Sequence, residues 1–184
     1  CLEGHFRLTS GLHGTRYIDK RKLPPKLLEE VASYLARFSY DSVQVVVAPA
    51  EGAIPLGRAV ARHLGETLGR EIQFCPVLKT ANGFYLPEES QSWNAATRVL
   101  LVEDVITTGL TLQKVLSVVR GTNAFVVGVC SLWNRGTISK EDLGVPWLLS
   151  LVNLALPSYE PGPVTCPGCR AGMLLDPNLG HARV

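Results

Sequence analysis

The chain has 184 residues, 46% of them apolar and 18% charged, with 18 basic against 16 acidic side chains for a formal charge of +2. This describes a folded chain of one domain, or one domain with a small attached hood, burying roughly 70% of its unfolded surface, and it excludes a disordered polymer. No Lys/Arg cluster is dense enough for tight nucleic-acid binding, Lys20-Arg21-Lys22 being the nearest, and no apolar run reaches the roughly 18 to 20 residues of a membrane span.

The chain opens at Cys1 without a methionine, so residues are expected to precede it, and no basic-then-apolar signal segment follows. The five cysteines, Cys1, Cys75, Cys130, Cys166 and Cys169, are odd in number and mostly scattered. That argues against a secreted disulfide scaffold and for a reducing, cytoplasmic setting. Cys75 and Cys130 sit inside apolar runs and read as small core hydrophobes.

In chain order, residues 6–8 and 16–19 read as short extended pieces around Ser10-Gly11-Leu12-His13-Gly14. Pro24-Pro25 then punctuates, and Pro25 suits a first helical turn, where its missing donor has no partner to lose. Over residues 27–38, Leu27, Leu28, Val31, Leu35 and Phe38 recur at helical spacing. Residues 43–48 are a nearly continuous β-branched run, the mark of a strand buried on both faces. After a turn at Pro49-Ala50-Glu51-Gly52, a helix is predicted over residues 54–64 and a strand over 72–77.

Residues 82–97 show little periodicity and read as a mobile or irregular segment. Loops above about 12 to 15 residues are usually functional or disordered. Strands over 99–102, 125–131 and 147–152, with a helix over 112–119, complete the pattern. Strands alternating with helices give an α/β class, a central mainly parallel sheet flanked by helices. The core is expected over residues 25–155, with a hood over 1–24 and a Pro/Gly-rich tail over 156–184 that completes the hood.

The most informative stretch is Val99-Leu100-Leu101-Val102-Glu103-Asp104-Val105-Ile106-Thr107-Thr108-Gly109-Leu110-Thr111. A buried strand ends in two carboxylates, and small hydroxyl residues with a glycine lead into a helix. Ligands of open α/β sheets bind beyond the C-terminal strand ends, and amides at a helix start hold anions. Glu103 and Asp104 repel phosphate and suit ribose hydroxyls, or a hard cation that bridges to phosphate. A capped helix after a strand, with two surface acids, explains any one of these features but not their conjunction. The Gly-Lys-Ser/Thr ending of a Walker loop is absent, and no Gly-x-Gly-x-x-Gly follows a strand.

Residues 99–111 resemble the signature with which type I phosphoribosyltransferases bind 5-phosphoribosyl-1-pyrophosphate (PRPP). The resemblance implies that Glu103 and Asp104 contact the ribose and that Val105, Ile106, Thr107, Thr108, Gly109, Leu110 and Thr111 wrap the 5'-phosphate. It implies Mg²⁺ carried by the pyrophosphate, without direct protein ligands, and a homodimer. Ala50, Glu51, Gly52 and Ala53 resemble the pyrophosphate loop, which often has a strained backbone; Glu51 is unusual beside a polyanion. The N-terminal stretch, through Phe6, Leu8, Ser10, Gly11, Tyr17 and Asp19, resembles the hood of orotate phosphoribosyltransferases, making Tyr17 a base contact. Trp133-Asn134-Arg135-Gly136 resembles the segment whose arginine meets orotate, with Asn134 where most members have aspartate. Guanidinium binds a carboxylate bidentately, so the chemistry agrees.

One departure concerns catalysis. The family's mobile loop carries several basic residues, yet between Lys79 and Arg98 there is no Lys, Arg or His, and Glu88-Glu89 adds negative charge. Lys79 and Asp104 are the candidate catalytic residues. Purine phosphoribosyl transfer and a non-catalytic PRPP-sensing regulator are the rival readings. Cys166-Pro167-Gly168-Cys169 has the spacing of half a zinc site, and it also looks like a tail found in some orotate enzymes. His181 is the only other ligand nearby in sequence, and Cys1 lies too far along the chain to place. Local tail structuring, shared metal binding and redox chemistry stand as readings of this pair, in that order.

Overall fold

The apolar runs pair side by side in the computed structural model of the protein, which describes residues 2–8, 11–17, 24–38, 41–49, 51–81 and 83–179. The chain divides into a larger unit, Pro25–Leu154, and a smaller one made of Cys1–Pro24 and Ala155–Val184.

In the larger unit, α1 (Pro25–Arg37), β3 (Val45–Pro49), α2 (Ile54–Leu68), β4 (Gln73–Thr80), β5 (Gly83–Tyr85), β6 (Arg98–Ile106), α3 (Leu110–Arg120), β7 (Phe125–Asn134), α4 (Lys140–Leu143) and β8 (Leu148–Asn153) follow in order. The six strands form one sheet in the order β5-β4-β3-β6-β7-β8, with β5 alone antiparallel to its neighbour. Alternation along the central strands feeds two cores. Val46, Ala48, Leu100 and Val102 pack with the inner faces of α1 and α2, while Val45, Val47, Val99 and Leu101 pack with α3. Burial on both faces is why these strands read as unbroken apolar runs.

Two differences from the sequence reading bear on the site. β6 extends to Ile106, past the expected residue 102, because β7 continues beside it, pairing Glu103 with Ser131, Val105 with Trp133 and Ile106 with Asn134. Ladder hydrogen bonds hold the polar residues extended where composition signals a loop. The stretch 82–97, expected to be mobile or irregular, carries two short elements among the described residues. β4 turns back through Gly83 into β5, pairing Lys79 with Phe84, and a 3₁₀ turn follows over Glu88–Ser92. Phe84, Leu86 and the 7%-exposed Trp93 bury against the α3-side core. Three apolar residues spread over a polar stretch give no period, yet they fold it down.

The smaller unit is a three-stranded sheet in the order β1-β2-β9, with β1 at Leu2–Arg7, β2 at His13–Tyr17 and β9 at Ser158–Tyr159. A short helix, α5 (Pro167–Arg170), lies in the tail. Ser10, Asp19, Lys20, Arg21 and Lys22 fall outside the described residues. No helix among the described residues is long and apolar enough to cross a membrane. Burial pushes the Cys130 thiol up to about 12, and burial with the Glu89 charge pushes Cys75 up to about 11, so both are inert core thiols.

Candidate functional site

The parallel strands bring their C-terminal ends to one edge of the sheet, at Pro49, Thr80, Ile106, Asn134 and Asn153. Glu103 and Asp104 lie in the last part of β6, only 7% and 8% exposed. The Asp104 amide donates to Glu103 Oε1 at 3.0 Å, and the Val105 amide donates to Asp104 Oδ1 at 2.7 Å. These are not solvated surface acids. Carboxylates buried at the ligand edge of a sheet are costly to desolvate, which makes this pair a candidate for binding.

Val105 and Ile106 belong to the strand, and the Ile106 side chain is buried in the core. The loop proper begins at Thr107 and Thr108, both exposed, and turns through Gly109 at φ +75°. That left-handed conformation is open to glycine without a Cβ clash. It leads directly into α3, whose first turn has no side-chain cap and no acid. The amides and dipole of this helix start are thereby presented to an anion. The exposed Thr111 adds a hydroxyl, whereas Leu110 is an exposed apolar side chain that can contribute only its backbone.

A second segment presses on this loop. The Arg135 amide donates to the Ile106 carbonyl at 2.9 Å. A Cβ on Gly136 would fall 1.5 Å from the Thr107 carbonyl oxygen, so only glycine allows this approach. Asn134, where the resemblance expects aspartate, uses both ends of its amide: Nδ2 donates to the Ile138 carbonyl at 2.7 Å, and Oδ1 accepts from the Ile138 amide at 3.2 Å. A carboxylate could make only the second bond. Thr137 is held at φ +56°, which is strained for a β-branched residue. The Arg135 guanidinium lies 5.8 Å from the Trp133 ring centroid. Ser139 and Asp142 form a reciprocal capping box at the start of α4, and the Ser139 hydroxyl holds the Asp142 carboxyl below its ordinary range.

At the neighbouring strand end, Ala50 lies outside the described residues, Glu51 and Gly52 are exposed, and Ala53 is buried at the start of α2. None of these three has a left-handed φ, so strain of that kind is absent from them. α2 likewise begins without a side-chain cap or an acid in its first turn. Lys79 is exposed near the end of β4. Tyr17 belongs to the smaller unit, its ring 5.3 Å from that of Phe6.

Cys166 and Cys169 do not stand as an isolated pair. His5 and His13, which the sequence reading did not single out, bring ligand atoms within 4.8 Å of theirs and of each other. The available signal was two histidines eight residues apart, beside and between the short extended pieces expected at residues 6–8 and 16–19. His181 and Cys1, the candidates that proximity in sequence or residue type suggested, lie outside the described residues.

The mainly parallel sheet flanked by helices agrees with the family match: residues 24–153 match the family described as the phosphoribosyl transferase domain. The chain is 35% identical over 175 residues to the orotate phosphoribosyltransferase of Caldicellulosiruptor bescii, covering 94% of this chain and 86% of that one. It is 37% identical over 177 residues to the enzyme of that name from Thermotoga maritima, covering 94% and 88%. The crystal structure of orotate phosphoribosyltransferase from Aeropyrum pernix superimposes with a TM-score of 0.64 at 28% identity, over 83% of this chain and 87% of that one. The chain belongs to the orotate phosphoribosyltransferase family.

Proposed function

We propose that the protein transfers the 5-phosphoribosyl group of PRPP to orotate, forming orotidine 5'-phosphate and releasing pyrophosphate, a step of pyrimidine synthesis. The observation that carries this reading is the buried Glu103–Asp104 pair running into the Gly109 turn and α3, with the Arg135 backbone tied to the end of β6 at Ile106. The bond from the anomeric carbon to pyrophosphate breaks as a ring nitrogen of the base bonds to that carbon, with oxocarbenium character on the ribose. Glu103 and Asp104 fix the ribose hydroxyls. The hydroxyls of Thr107, Thr108 and Thr111 and the amides of Gly109 and Leu110 hold the 5'-phosphate as a handle that positions the reacting carbon.

The amides of Glu51, Gly52 and Ala53, with Ala50 before them, receive the pyrophosphate, and Lys79 meets the charge that builds as it departs. Arg135 takes the orotate carboxylate. Glu103 and Asp104 supply hard carboxylate oxygens that suit ribose hydroxyls or a cation bridging to phosphate, and Mg²⁺ would be carried by the pyrophosphate of PRPP without direct protein ligands. Carried there, Mg²⁺ would neutralise the leaving group. The same reading takes the protein as a cytoplasmic homodimer.

Measuring pyrophosphate release with PRPP, Mg²⁺ and a panel of orotate, uracil, adenine, guanine and hypoxanthine tests the assignment. Release with orotate alone is the expected outcome. The absence of any Lys, Arg or His between Lys79 and Arg98 favours a second reading, a PRPP binder that has lost strong catalysis. Tight PRPP binding without release from any base would select it.

A further inference from the structure

We propose that His5, His13, Cys166 and Cys169 form a closed Cys₂His₂ zinc site that holds the smaller unit together. The four come from three separate pieces of chain. His5 lies in β1 where the ladder's register shifts between Glu3 and Phe6, and its ring meets that of His13 at the start of β2, centroids 4.7 Å apart. Cys166 precedes α5 and Cys169 lies within it.

The distances match a single small cation. His5 Nε2 lies 2.9 Å from His13 Nδ1, 3.3 Å from Cys166 Sγ and 3.6 Å from Cys169 Sγ, while His13 Nδ1 lies 3.3 Å from Cys169 Sγ. Tetrahedral zinc, with Zn–N of about 2.0–2.1 Å and Zn–S of about 2.3 Å, sets ligand-to-ligand edges of roughly 3.3 to 3.8 Å. These four separations each stand within about 0.5 Å of a tetrahedral edge, and all four donors lie within 4.8 Å of one another.

Hydrogen bonding does not satisfy this cluster. His5 Nδ1 is 2.8 Å from the Met173 carbonyl, which can only accept, so Nδ1 carries the proton and Nε2 is left with one lone pair. One lone pair cannot serve three neighbours. A cation satisfies all four donors together, and the carbonyl bond that fixes the imidazole tautomer is the usual outer partner of a metal-bound histidine. Zn²⁺ with two thiolates and two neutral imidazoles carries no net charge, which suits a site where His5 is 4%, His13 7% and Cys166 0% exposed. Binding replaces the two thiol protons, which leave to solvent.

The surroundings are shaped for this contact. A Cβ on Gly168, between the two cysteines, would lie 2.6 Å from the His5 ring. The buried hydrophobic residues of this unit, among those described, are Phe6, Leu156 and Cys166. A core that small does not hold a fold by area alone, and small units commonly add a metal or disulfides. With four protein donors and no open position, the site is structural rather than catalytic. It stands whether or not orotate is the acceptor.

The experiment is metal analysis of the full-length protein purified without chelator from zinc-supplemented medium. About one zinc per chain is expected, falling severalfold in Cys169→Ser and in His13→Ala. Cobalt-loaded protein should show the visible bands of tetrahedral Co²⁺ and a thiolate charge-transfer band. If the variants do not fold, the unmodified chain still decides: a strong chelator should expose Cys166 and Cys169 to alkylation, mapped by mass spectrometry, and added zinc should protect them again. Reduced protein lacking bound zinc and failing to take it up, zinc content unchanged in Cys169→Ser, or a Cys166–Cys169 disulfide in the native protein would each overturn the proposal.

Discussion

The larger unit packs Val46, Leu100 and Val102 against α1 and α2 and Val47, Val99 and Leu101 against α3, so its sheet is sealed by apolar contact on both faces. In the smaller unit the buried positions include Phe6 and Leu156, but also His5, His13 and Cys166. Apolar burial is non-directional and grows with area, so it needs many residues and tolerates their exchange. Coordination is directional and strong per residue, so four side chains can replace a core, but none is interchangeable. The two units should therefore fail under different treatments, and the chemistry at the β6 edge should be separable from both.

The largest expected effect is on the apolar side. Leu100→Ala, at a fully buried position, should cost about 2–5 kcal/mol in denaturant unfolding while leaving zinc content untouched. Loss of zinc in step with stability would erase the distinction between the units. Asp104→Asn should reduce PRPP-dependent turnover by roughly 10²-fold or more with far less effect on folding, since it keeps the shape and removes the charge. Near-normal PRPP kinetics in the folded variant would take Asp104 out of the site.

Arg135→Ala comes next. Losing a bidentate partner for a carboxylate should weaken use of orotate by about 2 kcal/mol or more, with PRPP affinity within a few-fold. Equal loss for both substrates would argue against a base contact. Lys79→Ala should lower turnover about tenfold with the melting temperature nearly unchanged, because Lys79 is exposed and its contact strengthens as pyrophosphate leaves. Unchanged turnover with chemistry rate-limiting would remove it. The smallest effect belongs to Thr137→Gly, which relieves the left-handed backbone and should stabilise the larger unit by about 1 kcal/mol, read as a rise in denaturation midpoint.

Lys79 and Asn134 show where sequence reading of the site thins out. Lys79 was legible as a cation near a strand end, but its pairing with Phe84 depends on a three-residue strand, too short to carry a period. Asn134 reads from sequence only as a substitution for aspartate. Its two hydrogen bonds to Ile138 give the amide a use that a carboxylate could not fill.

What the sequence by itself determined is local and periodic. The apolar runs at residues 45–48 and 99–102, the helical spacing of Val31 and Leu35, and the acids-then-threonines order after Val102 follow from neighbours along the chain. Steric and hydrogen-bonding rules act on those neighbours directly, so these elements could be read, and the 103–111 segment singled out as a candidate, without a fold. Only the tertiary structure decided that Glu103 and Asp104 are buried within β6, because β7 had to run beside them. It alone brought His5 within 3.3 Å of Cys166, 161 residues away. No periodicity encodes that meeting, since it depends on two chain segments returning to one small sheet.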